Sequence, residues 1–340
     1  MQLFELTRAL VDIESTTNHE KNVGDYLFAH LSALAARSNG RISRMPAEQN
    51  RDNLFASWGD PVVTLSTHMD TVPPFFSSSE DEEFIFGRGA CDAKGIIAAM
   101  VTAAERLLAG GTRNFGLLFV VGEERNSAGA NAAAAQPSGS QFLINGEPTE
   151  NQLALGSKGA LRYEITTQGK LAHSAYPEVG HSAIHSLLDV LQGIREIPLP
   201  RDPLLGHSTL NIGTISGGRA PNVVADHAEA EVMFRTVGDP STLRQAVASV
   251  SAGRAEAREV LHTPAIHLSK FDGLPTTVVA FTTDIPTFNG AWGEPFLIGP
   301  GSIHVAHTAE ERIAKRELCE AVEIYIRMTT QLLATGRSAA

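Results

Sequence analysis

The sequence predicts an α/β fold, with a mostly parallel central sheet in one domain and an inserted ferredoxin-like α+β domain. Three observations lead there. Short, continuous apolar runs alternate with helical stretches in the first and last parts of the chain, as they do when strands are buried on both faces of a sheet. The middle of the chain changes to strands that alternate polar and apolar residues, which suits a sheet with one wet face. At 340 residues the chain also exceeds the roughly 250–300 residues at which single cores stop growing.

The elements follow in order. Leu3, Leu6, Leu10 and Ile13 keep helical spacing, and Val23, Tyr26, Leu27, Leu31 and Leu34 repeat it after a break at Thr16-Thr17-Asn18. Val62–Ser66, Gly116–Val121, Gln141–Ile144 and Pro295–Ile298 are the buried strands. An Ala- and Leu-rich stretch from Ile96 to Leu108 reads as a helix, and so does Ala309 to about Leu333. Between them lie an alternating strand at Leu161–Thr166, a helix at Ser182–Arg195, and strands near Ser208–Ile215 and Glu229–Arg235. A helix from Ser241 to about Ala257 and a strand near Val260–His267 complete the set. That β-α-β-β-α-β order is the split arrangement of ferredoxin-like domains. The expected division is therefore residues 1–157 with 273–340 as one discontinuous domain, and 158–272 as the insertion.

Composition narrows the function. Lys and Arg total 27 against 38 Asp and Glu, a formal net charge of −11. Nucleic acid and anionic membranes demand a cationic surface, so neither is an expected partner. No stretch reaches the roughly 18–20 apolar residues of a membrane span, and the charged N-terminus lacks the apolar core of a signal peptide. Two cysteines, Cys91 and Cys319, are too few for a disulfide framework. The expectation is a soluble cytoplasmic protein.

Each apolar strand of the outer segments runs into residues that bind metals. Val62–Ser66 leads to His68 and Asp70, Gly116–Val121 to Glu123 and Glu124, Gln141–Ile144 to Glu147, and Pro295–Ile298 to Gly299-Pro300-Gly301 with His304 and His307 beyond. Asp92 lies in Gly87–Gly95, directly before a helix. Open α/β sheets bind ligands at the carboxyl ends of their strands, so these groups should share one rim. Taken singly, each is as ordinary as a loop acid, a cap or a surface histidine. Together they would crowd five carboxylates where apolar strands end, and like charges there repel strongly. Two dications resolve that conflict, and imidazole with carboxylate and no thiolate suits zinc. Asp70, two residues from His68 on an extended segment, can hold the second ring nitrogen of that histidine.

Ser66-Thr67-His68-Met69-Asp70-Thr71-Val72-Pro73, Gly87–Gly95, Gly122-Glu123-Glu124, Gly146-Glu147-Pro148-Thr149 and Ala306-His307-Thr308 resemble, in order, the metal-site motifs of one family. It is the two-zinc amidohydrolase and metallopeptidase family of acetylornithine deacetylase, succinyl-diaminopimelate desuccinylase, aminoacylase and glutamate carboxypeptidase. The resemblance implies one zinc on His68 and Glu147, the other on Glu124 and His307, and Asp92 bridging them; cobalt or manganese could substitute. It implies Glu123 as general base and Asp70 as the acid that orients a ligand. Thr308 and Glu311 have capping-box spacing, which would start the following helix. Cys91 reads as a packed small residue, and the absence of a Gly-x-Ser-x-Gly elbow disfavours a serine hydrolase.

The insertion carries a second set of similarities. Lys170–Pro177 resembles the family's lid segment, which implies that His173 stabilises the oxyanion, reaching across a homodimer formed through the lid. Asn222-Val223-Val224-Ala225-Asp226 with Arg235 resembles the substrate clamp, although Ala225 stands where many relatives have proline. Arg235 has the fork geometry for a substrate carboxylate, and Gly299 and Gly301 are expected to shape the pocket. The implied reaction is hydrolysis of an N-acyl amino acid or short peptide with a free carboxylate, deacetylase or desuccinylase being favoured. The alternatives are a dipeptidase, aminopeptidase or carboxypeptidase of that family, or a metal-free binding or regulatory relative.

Overall fold

The continuous apolar runs do become buried strands in the computed structural model, which describes residues 2–336. In chain order the principal elements begin with helices α1 (Leu3–Val11) and α2 (Lys21–Ser38), and strands β1 (Arg41–Glu48), β2 (Arg51–Trp58), β3 (Val63–His68) and β4 (Phe84–Phe86). Next come α3 (Lys94–Ala109), β5 (Phe115–Val120), α4 (Ala128–Ala134), β6 (Phe142–Asn145), β7 (Leu153–Ser157) and β8 (Gly159–Gln168). Then follow α5 (Ala183–Arg195), β9 (Thr209–Gly217), β10 (His227–Thr236), α6 (Ser241–Ser251) and β11 (Glu256–Thr263). The chain closes with α7 (Ile285–Phe288), β12 (Glu294–Leu297), β13 (Arg312–Ala314) and α8 (Lys315–Gly336). None of the described helices is long and apolar enough to cross a membrane.

Two compact units result. The first takes the chain up to Leu155, Leu268–Thr277 and the chain from Thr283 onward; the second takes Gly156–His267 and Val278–Thr282. In the first unit the sheet runs β1-β2-β5-β3-β6-β12-β7. Its centre is parallel, with β3 pairing β5 and β6, and β6 pairing β12. Antiparallel strands flank it, β1 and β2 on one side and β7 on the other, so the sheet is mixed. Every residue of β3 and β5 is buried. This is why β5 carries Phe, Leu and Val without a polar face, while the polar residues of β3 (Thr64, Ser66, Thr67 and His68) are buried with Val63 and Leu65. Helix α3 buries Ile96, Ile97, Met100 and Val101 in the same core, with Tyr325 and Met328 of α8.

The second unit places its antiparallel strands in the order β9-β10-β8-β11, with α5 and α6 packed on the sheet. Alternating positions of β8 and β10 point Leu161, Tyr163, Ile165, Val232 and Phe234 into a core with Leu187, Val190 and Ile194 of α5.

Three local expectations need correction. The hairpin β1–β2 is not visible in hydrophobic pattern, because β1 (Arg-Ile-Ser-Arg-Met-Pro-Ala-Glu) is largely exposed. Helix α6 stops at Ser251 rather than near Ala257, where Gly253 takes a φ of +70° that favours glycine. Helix α8 starts at Lys315 rather than Ala309, because Arg312–Ala314 forms strand β13 on β4 instead.

Candidate metal centre

The topology explains how distant motifs meet. Strand β3 has β5, the next strand of this sheet in chain order, on one side and β6 on the other, so the sheet reverses its direction of growth there. Because β3, β5, β6 and β12 are parallel, their carboxyl ends lie on one edge of the sheet. His68 ends β3, Glu123 and Glu124 follow β5, Glu147 follows β6, and Gly299 follows β12. Asp92 arrives just before α3, and His307 from the loop after β12.

Asp92 sits at the middle of the cluster. Its Oδ1 lies 2.9 Å from His68 Nε2, and its Oδ2 lies 3.3 Å from His307 Nε2. The same His307 nitrogen is 3.0 Å from Glu124 Oε1, and His68 Nε2 is 4.0 Å from Glu147 Oε2. Ligand atoms of His68, Asp92 and Glu124 all lie within 4.8 Å of one another. His307 holds a left-handed φ of +63°, a strained conformation for a non-glycine residue and one often found at functional sites.

Asp70, fully buried, works through its whole residue. Its main-chain oxygen lies 3.0 Å from His68 Nδ1 and its Oδ1 lies 3.6 Å from the same nitrogen. The carboxylate accepts the main-chain N–H of Glu123 at 3.1 Å and of Glu124 at 3.2 Å, and the Thr17 hydroxyl at 2.9 Å. Asp70 therefore ties β3 to the turn that carries both glutamates.

The electrostatics are those of a crowded anionic site. Burial, then the charge of Glu147, pushes the Glu123 carboxyl well above its ordinary range. Burial does the same to Glu147. Burial opposes charge on His68, but hydrogen bonds to Asp70 and Asp92 outweigh it and hold the imidazolium well above normal. Asp92 and Glu124 raise His307 to about 10. In this arrangement protons occupy the places where cations would satisfy the same acids. Two imidazoles and clustered carboxylates, with the Cys91 thiol pushed up by burial and turned to Ser302, fit a divalent cation that accepts nitrogen and oxygen ligands.

The glycines expected near the pocket are close to these ligands. A side chain on Gly299 would meet Glu147 O at 2.5 Å, and one on Gly301 (φ +89°) would meet Cys91 Sγ at 2.5 Å. His173, Asn222 and Arg235 lie in the second unit. His173 and Asn222 are exposed on neighbouring loops: His173 bridges Val223, and Ser174 N–H donates to Asn222 O at 3.0 Å. Arg235 stands on β10 between Thr209 and Ala160, half-buried, with no ion pair among the described residues.

Sequence reasoning missed other residues. Glu311 makes no capping box; its carboxylate turns instead to the loop that carries Asp92. Asp284 adds a further buried acid, raised to about 7 by burial, whose charge bears on Glu123 and Glu147. Tyr325 donates its hydroxyl to Ile298 O and packs at 3.2 Å from where Gly146 and Gly299 would carry side chains. The one sequence signal at Glu311 was its capping-box spacing from Thr308, which points to a different role. Asp284 and Tyr325 have none.

Residues 64–331 match the model of peptidase family M20/M25/M40. A peptidase M20 domain-containing protein of Schizosaccharomyces pombe is 38% identical over 336 residues, covering 96% of this chain and 84% of the relative. A probable carboxypeptidase of Aspergillus flavus is 37% identical over 372 residues, covering 96% of this chain and 89% of the relative. The fold also matches the crystal structure of an M20 family metallo-carboxypeptidase from Sulfolobus solfataricus. There the TM-score is 0.80 at 16% identity, over 98% of this chain and 99% of that one.

Proposed function

This chain belongs to peptidase family M20/M25/M40 and is a metallopeptidase-type hydrolase, and on that premise we propose that it cleaves amides with two zinc ions. Its substrates would be short peptides or N-acyl amino acids that end in a free carboxylate. The observation that carries this reading is Asp92, whose two oxygens face His68 and His307 separately. One ion would be held by His68 and Glu147 and the other by Glu124 and His307, with Asp92 shared. Bound there, the two ions supply an acidified water and a polarised scissile carbonyl. Glu123 takes the proton of the attacking water and passes it to the departing amine, acid–base work by one carboxylate. Asp70 keeps the Glu123-Glu124 turn against β3 while this happens.

The second unit supplies recognition in this proposal, with residues 158–272 as the lid and 1–157 with 273–340 as the catalytic domain. Arg235, which lacks an ion-pair partner among the described residues, would clamp the substrate carboxylate, and Asn222, on the loop before the opposite end of β10, would contact substrate separately. Gly299 and Gly301 would shape the pocket by letting their backbone pass close to Glu147 and Cys91. His173 would stabilise the tetrahedral oxyanion of a second copy. Exposed Ile184 and Leu188 on α5 and Ile215 on edge strand β9 support a homodimer through this unit. Free Cys91 and Cys319 support a reducing, cytoplasmic setting.

The sequence favours a deacetylase or desuccinylase, whereas a relative's name as a probable carboxypeptidase supports removal of a C-terminal residue as the leading activity. The deciding experiment is a panel of di- and tripeptides and N-acetyl and N-succinyl amino acids. Each is offered with a free or amidated C-terminus, before and after chelation and zinc return. Zinc-dependent cleavage of free-acid peptides supports the proposal. Faster turnover of N-acyl amino acids restores the deacylase preference, and equal cleavage of amidated substrates removes the carboxylate clamp.

A further inference from the structure

We propose that Glu311 is a positioning residue that fixes Asp92 between its two histidines and thereby sets how tightly the site holds divalent cations. The inference rests on the reading of the His68–Asp92–His307 cluster as a metal site.

The segment Gly87–Ala93 connects β4 to α3 and belongs to no sheet ladder, so its buried N–H groups need partners elsewhere. Three of them converge on a single atom. Glu311 Oε1 accepts the N–H of Gly89 at 2.9 Å, of Cys91 at 3.2 Å and of Asp92 itself at 3.1 Å. Oε2 accepts Arg88 Nη1. Both residues are essentially fully buried, at 1% exposure each. Arg88 is held in turn by Pro74 O, which accepts its Nε at 3.2 Å, and by the Phe76 ring, 5.1 Å from the guanidinium carbon.

Glu311 is itself held in register. Its carbonyl accepts the Gly87 N–H at 3.1 Å, and the next residue, Arg312, pairs with Phe86 as β13 meets β4. The same ladder that delivers Glu311 thus anchors both ends of its grip on the loop. Hydrogen bonds to an ionised acceptor are shorter and about twice as strong as neutral ones. Moving the acceptor releases the N–H of Asp92, and with it the direction of the Asp92 side chain towards His68 and His307. Residues that orient ligands in this indirect way typically contribute about 10–100-fold to metal affinity.

Two substitutions separate this role from general stability. Glu311→Gln keeps the size but turns an NH2 group against Arg88, leaving a buried cation without its counter-charge. Glu311→Asp keeps the charge but is one methylene shorter, so it cannot serve Arg88 and three N–H groups at once. The chelated wild-type protein and both variants are titrated with Co2+, followed by calorimetry and by visible absorption, with metal-free melting temperatures measured alongside. Wild type should take up two Co2+ per chain. Both variants should bind about 10–100-fold more weakly, with altered Co2+ spectra. Glu311→Asp decides the matter if Glu311→Gln melts too low to titrate. Wild-type Co2+ affinity and spectra in the folded variants, whatever their melting temperatures, overturn the inference. Failure of the wild-type protein to bind Co2+ would instead remove the metal-site reading beneath it.

Discussion

Replacing Glu123 by Gln removes a proton carrier while leaving its surroundings nearly intact. The turn around Glu123 is held by main-chain groups: Asp70 accepts the N–H of Glu123 and Glu124, and Gly122 O accepts those of Asn126 at 3.1 Å and Ser127 at 2.7 Å. None of these bonds uses the Glu123 side chain, so Gln should keep both the turn and the metal ligands. A placed general base is worth about 10²–10⁴-fold in rate. At about 1.4 kcal/mol per decade, the barrier should rise by about 3–6 kcal/mol. Stability should move the other way. Burial and Glu147 raise the folded-state pKa of Glu123 above its unfolded value. A raised carboxyl favours folding fully below the unfolded pKa and loses that contribution as pH climbs towards the folded pKa. At neutral pH the chelated variant should therefore melt no lower than wild type. The assay combines steady-state hydrolysis of a free-acid dipeptide, zinc content by elemental analysis, and melting temperature. Near-normal kcat with two zinc ions bound would refute the base assignment. Loss of zinc would show that Glu123 is a ligand instead.

Further outcomes follow from the same geometry. Asp92→Asn should leave fewer than two zinc ions per chain, since one carboxylate faces both histidines; full occupancy by elemental analysis counts against a shared ligand. In the chelated protein His307 is raised from 6.5 to about 10. Its contribution to stability is present below pH 6.5 and lost as pH rises to about 10, so melting temperature should fall across that window. His307→Gln should flatten the slope, and an unchanged slope dismisses this group as its source. Gly299→Ala places a Cβ 2.5 Å from Glu147 O. It should destabilise by about 1–3 kcal/mol and weaken zinc binding, both absent if the backbone yields freely. Arg235→Lys should raise KM for free-acid peptides far more than for amidated ones, because an ammonium lacks the bidentate fork; equal effects on both place Arg235 outside the clamp.

The ligand-bearing strands were legible because burial on both faces leaves short runs rich in apolar and β-branched residues, as in Phe142-Leu143-Ile144 of β6, Leu117–Val120 of β5 and Val63-Thr64-Leu65 of β3. Residues bound only by long-range contacts were not. Strand β1 is mostly exposed, so no apolar period marks it. Glu311 looked like a helix cap because local spacing is all that a short motif can express, yet its carboxylate bonds Gly89, 222 residues away. Asp284 and Tyr325 reach the site only because α7 and α8 pack there.

The sequence by itself determined where the ligand-bearing strands lie, which residue types follow them, and that so many acids and histidines call for cations. These follow from solvation and charge, which are properties of the residues. The tertiary structure alone decided that β5 and β6 flank β3, that the Asp92 oxygens divide between His68 and His307, and that Glu311 grips the Asp92 loop. Those are matters of direction and register, and a hydrogen bond acquires them only when both of its partners have been placed in space.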